Sequence, residues 1–286
     1  MVQGKTIRQH YVQREYIKNF CINNTDLVNA YNICVGNEKK LKPTSLCVIK
    51  EMYELNGILD NRIENHLKEF EDKGIQQIKK IVDFESINGD IFTNEDLKSL
   101  YQYVFLQLIR TKSGQLVFQS IKENLDLKFS KPSKHVSNSE LYKNSEIINR
   151  NIKWIHDNMN EFDDVIDSLW VAFHDSMRFG LYVSEKPLLI TSDCPVDTDV
   201  IPGIYFPCLC YLKMALTPRI LLDIEIVMNK SIKVCSFFKC ELTNDIVFDF
   251  NKKIISNANY WVMSSNEFSI SQRMLLIEQH KRMTKV

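Results

Sequence analysis

The segment Met214-Ala215-Leu216-Thr217-Pro218-Arg219-Ile220-Leu221-Leu222-Asp223-Ile224 decides the reading of the fold. Two short apolar runs flank a proline, the pattern of strands separated by a turn. The same pattern extends in both directions. Leu181–Val183, Leu188–Thr191, Tyr205–Cys210 and Lys233–Phe238 are further short runs of β-branched and aromatic residues, and Pro187, Pro195, Pro202 and Pro207 punctuate them. Residues 181–248 therefore read as sheet.

A different period governs the chain upstream. Leu59, Ile63, Leu67 and Phe70, then Ile75, Ile78 and Val82, recur every three or four positions and predict a helix over 59–82. Thr93 precedes Asp96 by three, close to a capping box, and opens the most apolar helix, expected over 95–122. Two more helices are expected over 139–160 and 161–178, after an exposed Pro-, Ser- and Lys-containing crossing at 128–140. Nearer the start, a short helix is expected over 12–20, with strands over 27–34 and 46–49 and a turn near Gly36-Asn37. A helix over 243–257, a strand over 260–263 and a helix over 266–283 close the chain. The expectation is an α+β fold in one compact domain, 1–286. Its helical middle layer, about 50–180, packs on a mixed or antiparallel sheet built largely from the C-terminal half, about 181–265.

Composition narrows the class. Of 286 residues, 44% are hydrophobic and 25% charged, which excludes disordered, collagen-like and disulfide-scaffold proteins. Lys+Arg and Asp+Glu are 36 each, so the net charge of zero argues against a strongly basic nucleic-acid coat or a polybasic membrane binder. No stretch reaches the ~18 apolar residues of a membrane span. The N-terminus carries Lys5, Arg8, His10 and Arg14 without an apolar core, so no signal peptide is expected. The eight cysteines are expected to be reduced thiols in the cytoplasm. Cys208-x-Cys210 with Cys235-x4-Cys240 admits a zinc reading, but the single intervening residue is tight, and two core thiols on one strand are the better reading. No zinc-protease, P-loop, Rossmann or nucleophile-elbow motif is present.

Several motifs recur together in order. His10-Tyr11-Val12-Gln13-Arg14-Glu15-Tyr16-Ile17-Lys18-Asn19-Phe20 resembles the opening of a bacterial family catalogued as domain of unknown function 4238. Glu64 and Glu71 look like that family's glutamates on its first long helix. Leu106-Gln107-Leu108-Ile109-Arg110-Thr111 and Ile190-Thr191-Ser192-Asp193-Cys194-Pro195-Val196 resemble its later segments, as do Ala215-Leu216-Thr217-Pro218, Asn251 and Asn257-Ala258. Three positions depart from the pattern: Gln13 and Lys112 stand where it has proline, and Cys194 where it has asparagine. The resemblance implies a role in anti-phage defence, with a growth-arresting effector as one form of it and a phage-encoded trigger as a partner.

The motifs nominate His10, Arg14, Glu71, Arg110 and Asp193 as one candidate catalytic set. Imidazole serves as acid or base near neutral pH, and guanidinium clamps phosphate. Carboxylates hold a divalent metal or orient the histidine. If the fold gathers them, the set suits phosphodiester hydrolysis. Otherwise it is a buried polar network fixing the N-terminal segment, with Asp193 a turn former. A second pattern, Arg150 followed by His156, resembles that of HEPN-type RNases, which work as dimers, though positions six apart diverge by about 240° on a helix. The acidic run Asp157, Glu161, Asp163, Asp164 and Asp167 reads as a solvated helix face. Two functions follow. One is a toxic hydrolase or nuclease acting on nucleic acid. The other is a non-enzymatic sensor or interaction module binding a phage protein or small ligand, with function on loops such as 128–140.

Overall fold

The computed structural model describes residues 7–54, 60–83, 92–111, 114–115, 117–119, 145–198, 200–201, 208–209, 211–227 and 236–284. It opens with strand β1 (Arg8–His10), helix α1 (Arg14–Lys18) and strands β2 (Val28–Asn32), β3 (Asn37–Leu41) and β4 (Val48–Lys50). The helical middle follows: α2 (Arg62–Asp83), α3 (Asn94–Ile109), α4 (Ser145–Asp157) and α5 (Met159–Phe173). Next come β5 (Met177–Val183), β6 (Thr191–Ser192), β7 (Val196–Asp197), β8 (Val200–Ile201), β9 (Cys208–Leu209), β10 (Tyr211–Thr217), β11 (Ile220–Ile226) and β12 (Ser236–Glu241). Helix α6 (Asn244–Asn257), strand β13 (Trp261–Ser264) and helix α7 (Ile270–Thr284) complete the described chain. The class is α+β, as the two periods predict. Cys210 and Cys235 of the zinc reading, Lys112 and the 128–140 crossing lie outside the described residues.

Helix α3 is the hub. Its capping box is complete: the Thr93 side chain accepts from the Asp96 backbone, and Asp96 accepts from Thr93 in return. Every residue from Leu100 to Ile109 is buried, because α2 and α5 pack on one side and strands β7 and β10 on the other. The contact with α2 requires Gly74, since a Cβ there would overlap the Tyr103 side chain. Burial at about 25 cal/mol per Å² of apolar surface makes this helix a large contribution to the core.

Five strands form one sheet in the order β12-β5-β11-β10-β7, antiparallel except for the parallel β12–β5 pair. Leu212, Met214, Leu222, Ile224, Phe179 and Leu181 share one face and are wholly buried, while Ala215, Leu221 and Asp223 on the other face are buried as well, so both faces of the sheet are covered at its centre. A second sheet, β3-β2-β13-β6, joins the two ends of the chain, pairing Trp261 with Asn32 and Met263 with both Ala30 and Thr191. The N-terminal hairpin is thus tied into the C-terminal half by a strand that arrives more than two hundred residues later. The short β1–β4 pair is antiparallel, with Arg8 opposite Lys50 and His10 opposite Val48.

The acidic run on α4 and α5 does more than face water. Asp163 bonds His66 of α2 at 2.6 Å. Asp167 accepts from Gln102 of α3 at 2.5 Å and pairs with Lys98 at 2.8 Å. These acids pin α5 to its neighbours.

Candidate functional site: the Arg110 and Asp193 pocket

Two buried networks grow from the family motifs, and one pocket touches both. The first centres on Arg110, which caps the C-terminus of α3 and is only 4% exposed. Its Nε donates to Tyr53 Oη at 2.7 Å, Nη1 to the Glu71 carboxylate of α2, and Nη2 to the His10 carbonyl. Glu64, one heptad before Glu71, lies 3.8 Å from Nη2. Burial works against the guanidinium charge, but Tyr53, Glu71 and Glu64 more than offset it and hold its pKa above the usual range. Burial raises the Glu64 carboxyl, and Glu71 adds to that.

The second network belongs to the Thr-Ser-Asp turn. Asp193 leaves β6 and is 1% exposed. Its Oδ1 accepts from the backbone N–H of Asn259 at 3.0 Å and of Trp261 at 3.3 Å, and its Oδ2 from Tyr260 at 3.1 Å. The carboxylate therefore caps the entry to β13. Burial pushes its pKa up to about 6, and the three N–H bonds pull the other way. Beside it the buried Cys194 is engaged too, since Asn259 Nδ2 donates to its Sγ at 3.1 Å.

Gln13 turns a departure into bonding. Its backbone N–H donates to Gln107 Oε1 at 3.3 Å, a bond that proline lacks. Its Oε1 accepts from Tyr103 Oη at 2.8 Å. Tyr16, from the same motif, donates to the Ala215 carbonyl at 2.8 Å and contacts Thr191 Oγ1 at 2.7 Å. The opening motif is therefore bolted to α3 and to both larger sheets.

Between the networks lies a cavity of about 250 Å³. Arg110, Asp193, Lys50, Glu51, Tyr11, Gln115, Asn259 and Tyr260 supply its polar lining, and Ile49, Met52 and Ile152 its apolar lining. Cys47 (φ 52°) and Glu51 (φ 53°) hold left-handed backbone on either side of β4, which borders the cavity. Such strain persists only where surrounding structure imposes it, and it clusters at ligand sites.

Of the five nominated residues, Arg110, Glu71 and the His10 backbone converge, and Asp193 meets Arg110 across the cavity. Arg14 stands apart: its guanidinium is about half exposed and pairs with Glu15 at 3.0 Å. The His10 ring is held neutral at pH 7, pushed down to about 4 by burial and by nearby Arg14, Arg110 and Arg8 against a hydrogen bond to the Pro43 carbonyl. Its Nε2 has no hydrogen-bond partner among the described residues. Tyr53, Tyr11, Asn259 and Gln115 were not nominated. Tyr11 lies inside the opening motif, while nothing in the spacing marks the other three. Among the described residues no three His, Cys, Asp or Glu side chains are placed to hold a metal ion. Arg150 falls outside the described side chains, and His156 lies 3.7 Å from Asp60 and 3.5 Å from Asp157.

No helix among the described residues is long and apolar enough to cross a membrane. Comparison with curated proteins finds no match, and comparison with solved structures finds none either. Residues 8–268 match the family model described as Protein of unknown function (DUF4238), which spans both networks and the cavity between them. The chain belongs to that family.

Proposed function

We propose that this protein is a binding module of bacterial anti-phage defence, and that its pocket between Arg110 and Asp193 takes a small polar ligand. The observation that carries this is how the motif side chains are engaged. Both Asp193 oxygens accept backbone N–H groups, and Arg110 is bonded to Glu71, Tyr53 and the His10 carbonyl. Groups so engaged shape and polarise a cavity but are not available to attack a bond. Arg110 retains two N–H donors beyond these three bonds, which suits an acceptor on the ligand. A volume near 250 Å³ lies just under the usual range for small-molecule sites, which suits a ligand of nucleobase or amino-acid size.

The test fills the pocket without touching either network. Ile49 lines the cavity and is 42% exposed, so Ile49→Trp occupies space at little cost to the core. The expected outcome is loss of protection against phage of at least about tenfold in plating, with the melting temperature within about 2 °C of wild type. Full protection by a folded Ile49→Trp protein refutes the reading.

One observation favours the other function expected from the sequence, a nuclease effector. A neutral imidazole with an unpartnered Nε2 is the state a general base requires. Induction in a bacterial host, followed by gels of total RNA and DNA, separates the two. Nucleic acid degraded by wild type but not by His10→Ala assigns hydrolysis. Intact nucleic acid with protection retained leaves the binding module.

A further inference from the structure

The second face of the five-stranded sheet, where Lys253 of α6 reaches β7, carries a polar row that neither network uses. Asp197 on β7, Lys213 on β10 and Asp223 on β11 stand directly opposite one another across three adjacent strands. The next position in the row is Gly180 on β5, where a Cβ would sit 2.7 Å from the Phe238 ring, so the glycine lets that ring close the row. Side chains at one level of a pleat share a face, so this is one contiguous patch.

The patch is built in two levels. The carboxylates lie below, with Asp197 3% and Asp223 2% exposed. The ammonium groups lie above, with the Lys213 side chain 32% and the Lys253 side chain 45% exposed. Lys213 Nζ is 3.1 Å from Asp223, and Lys253 Nζ, reaching down from α6, is 3.3 Å from Asp197. The Tyr211 ring stands between them, 4.9 Å from Lys213 Nζ and 5.0 Å from Lys253 Nζ, and its hydroxyl accepts from Lys253 at 2.5 Å. Asp223 Oδ1 has no hydrogen-bond partner among the described residues, so the bond to Lys213 is what its carboxylate contributes.

We propose that Lys213, Tyr211 and Lys253 form a phosphate-binding site, with Asp197 and Asp223 as the buried struts that fix the two ammonium groups. A free surface lysine loses about 2 kcal/mol of side-chain entropy when it is immobilised on a ligand. Here the carboxylates and the ring have already removed much of that freedom. Each ammonium has three N–H donors. Lys213 uses one on Asp223 and Lys253 uses two, on Tyr211 and Asp197, so both retain a donor for an oxyanion. An approaching phosphate meets the more exposed ammonium groups before the buried Asp197 and Asp223, with Glu225, opposite Tyr211 on β11, as the partly exposed carboxylate beside the site. This site does not involve the Arg110 pocket and stands or falls separately from it.

The test is calorimetric titration of inorganic phosphate into the full chain. Lys213→Met is unsuitable because it strands Asp223 in the sheet. Lys253→Gln and Tyr211→Phe keep the surrounding packing, and Ile49→Trp serves as the control at the other pocket. Saturable binding of one phosphate per chain is expected. It should weaken about tenfold in Lys253→Gln and several-fold in Tyr211→Phe, and be unchanged in Ile49→Trp. No saturable heat up to tens of millimolar, or equal affinity in all four proteins, overturns the proposal. Adenosine monophosphate and a single-stranded oligothymidylate then distinguish the source of the phosphate. Tighter binding of the oligonucleotide, with a salt slope about one smaller in Lys253→Gln, identifies a nucleic-acid backbone. Tighter binding of the mononucleotide identifies a free phosphorylated ligand.

Discussion

Replacing Asp193 by alanine separates a structural carboxylate from a reactive one. The side chain accepts three backbone N–H bonds from Asn259, Tyr260 and Trp261 at 3.0–3.3 Å, in a site 1% exposed. Each buried donor left unsatisfied costs about 1–3 kcal/mol. Part of that loss is recovered because the ionised carboxyl is itself disfavoured, so Asp193→Ala should cost about 3–6 kcal/mol. At roughly 2–4 °C per kcal/mol for a chain of this size, the melting temperature falls by about 6–24 °C. The pH dependence supplies a second reading. The folded carboxyl titrates near 6 instead of its ordinary 3.8. Between those values the folded state holds the proton more tightly than the unfolded chain does, so this group adds stability as pH falls through 6. Alanine cannot titrate, so the gap between wild type and Asp193→Ala should widen by about 1.3 kcal/mol from pH 7 to pH 5. Urea melts at the two pH values measure both quantities. A variant within about 1 kcal/mol of wild type, or a gap that narrows on acidification, would refute the assignment of Asp193 as the cap of β13.

Three further outcomes follow from the same geometry. Gln13→Pro should destabilise by about 2–4 kcal/mol in chemical denaturation. It removes the N–H that Gln107 accepts and strands the buried Tyr103 hydroxyl. Gly74→Ala should cost about 1–3 kcal/mol by overpacking α2 against Tyr103, and Gly74→Ala combined with Tyr103→Leu should cost less than the two single changes added together. His10 resists protonation until about pH 4 in the fold, whereas the unfolded chain takes up the proton near 6.5. Its contribution is therefore present above 6.5 and lost as pH falls toward 4, and His10→Gln should flatten that part of the stability curve by about 1–2 kcal/mol after allowance for solvent screening.

What the sequence disclosed and what it withheld divide along a physical line. Period and capping are local, so α2, α3 with its capping box, and the β10–β11 hairpin are legible from residues within a few positions of one another. Strand pairing is a matter of loop closure over long separations. Nothing near Val28–Asn32 announces that its partner is Trp261–Ser264, and the second sheet is therefore not legible. The candidate site shows the same division at the level of single side chains. Glu71 and Arg110 are legible only as members of one motif set; the fold pairs them because Glu71 lies on the buried side of α2 and Arg110 ends the apolar α3. Arg14 carries the same chemistry in the same motif, but it opens a helix of only five residues whose buried positions are Tyr16 and Ile17, so it faces water and pairs with its neighbour Glu15. A motif thus records which residues accompany one another, not which of them point inward. Direction comes from the helical phase: in α1 the buried pair at 16 and 17 leaves 14, 15 and 18 outside, where Glu15 bonds both Arg14 and Lys18. The same argument applied to β11 points the other way. Alternation puts Asp223 opposite the apolar face of Leu222 and Ile224, and its burial there is stable only because Lys213 stands across from it on β10. The polar row was therefore present in the sequence as an aspartate in the middle of an apolar strand, a local inconsistency whose resolution needed the neighbouring strand.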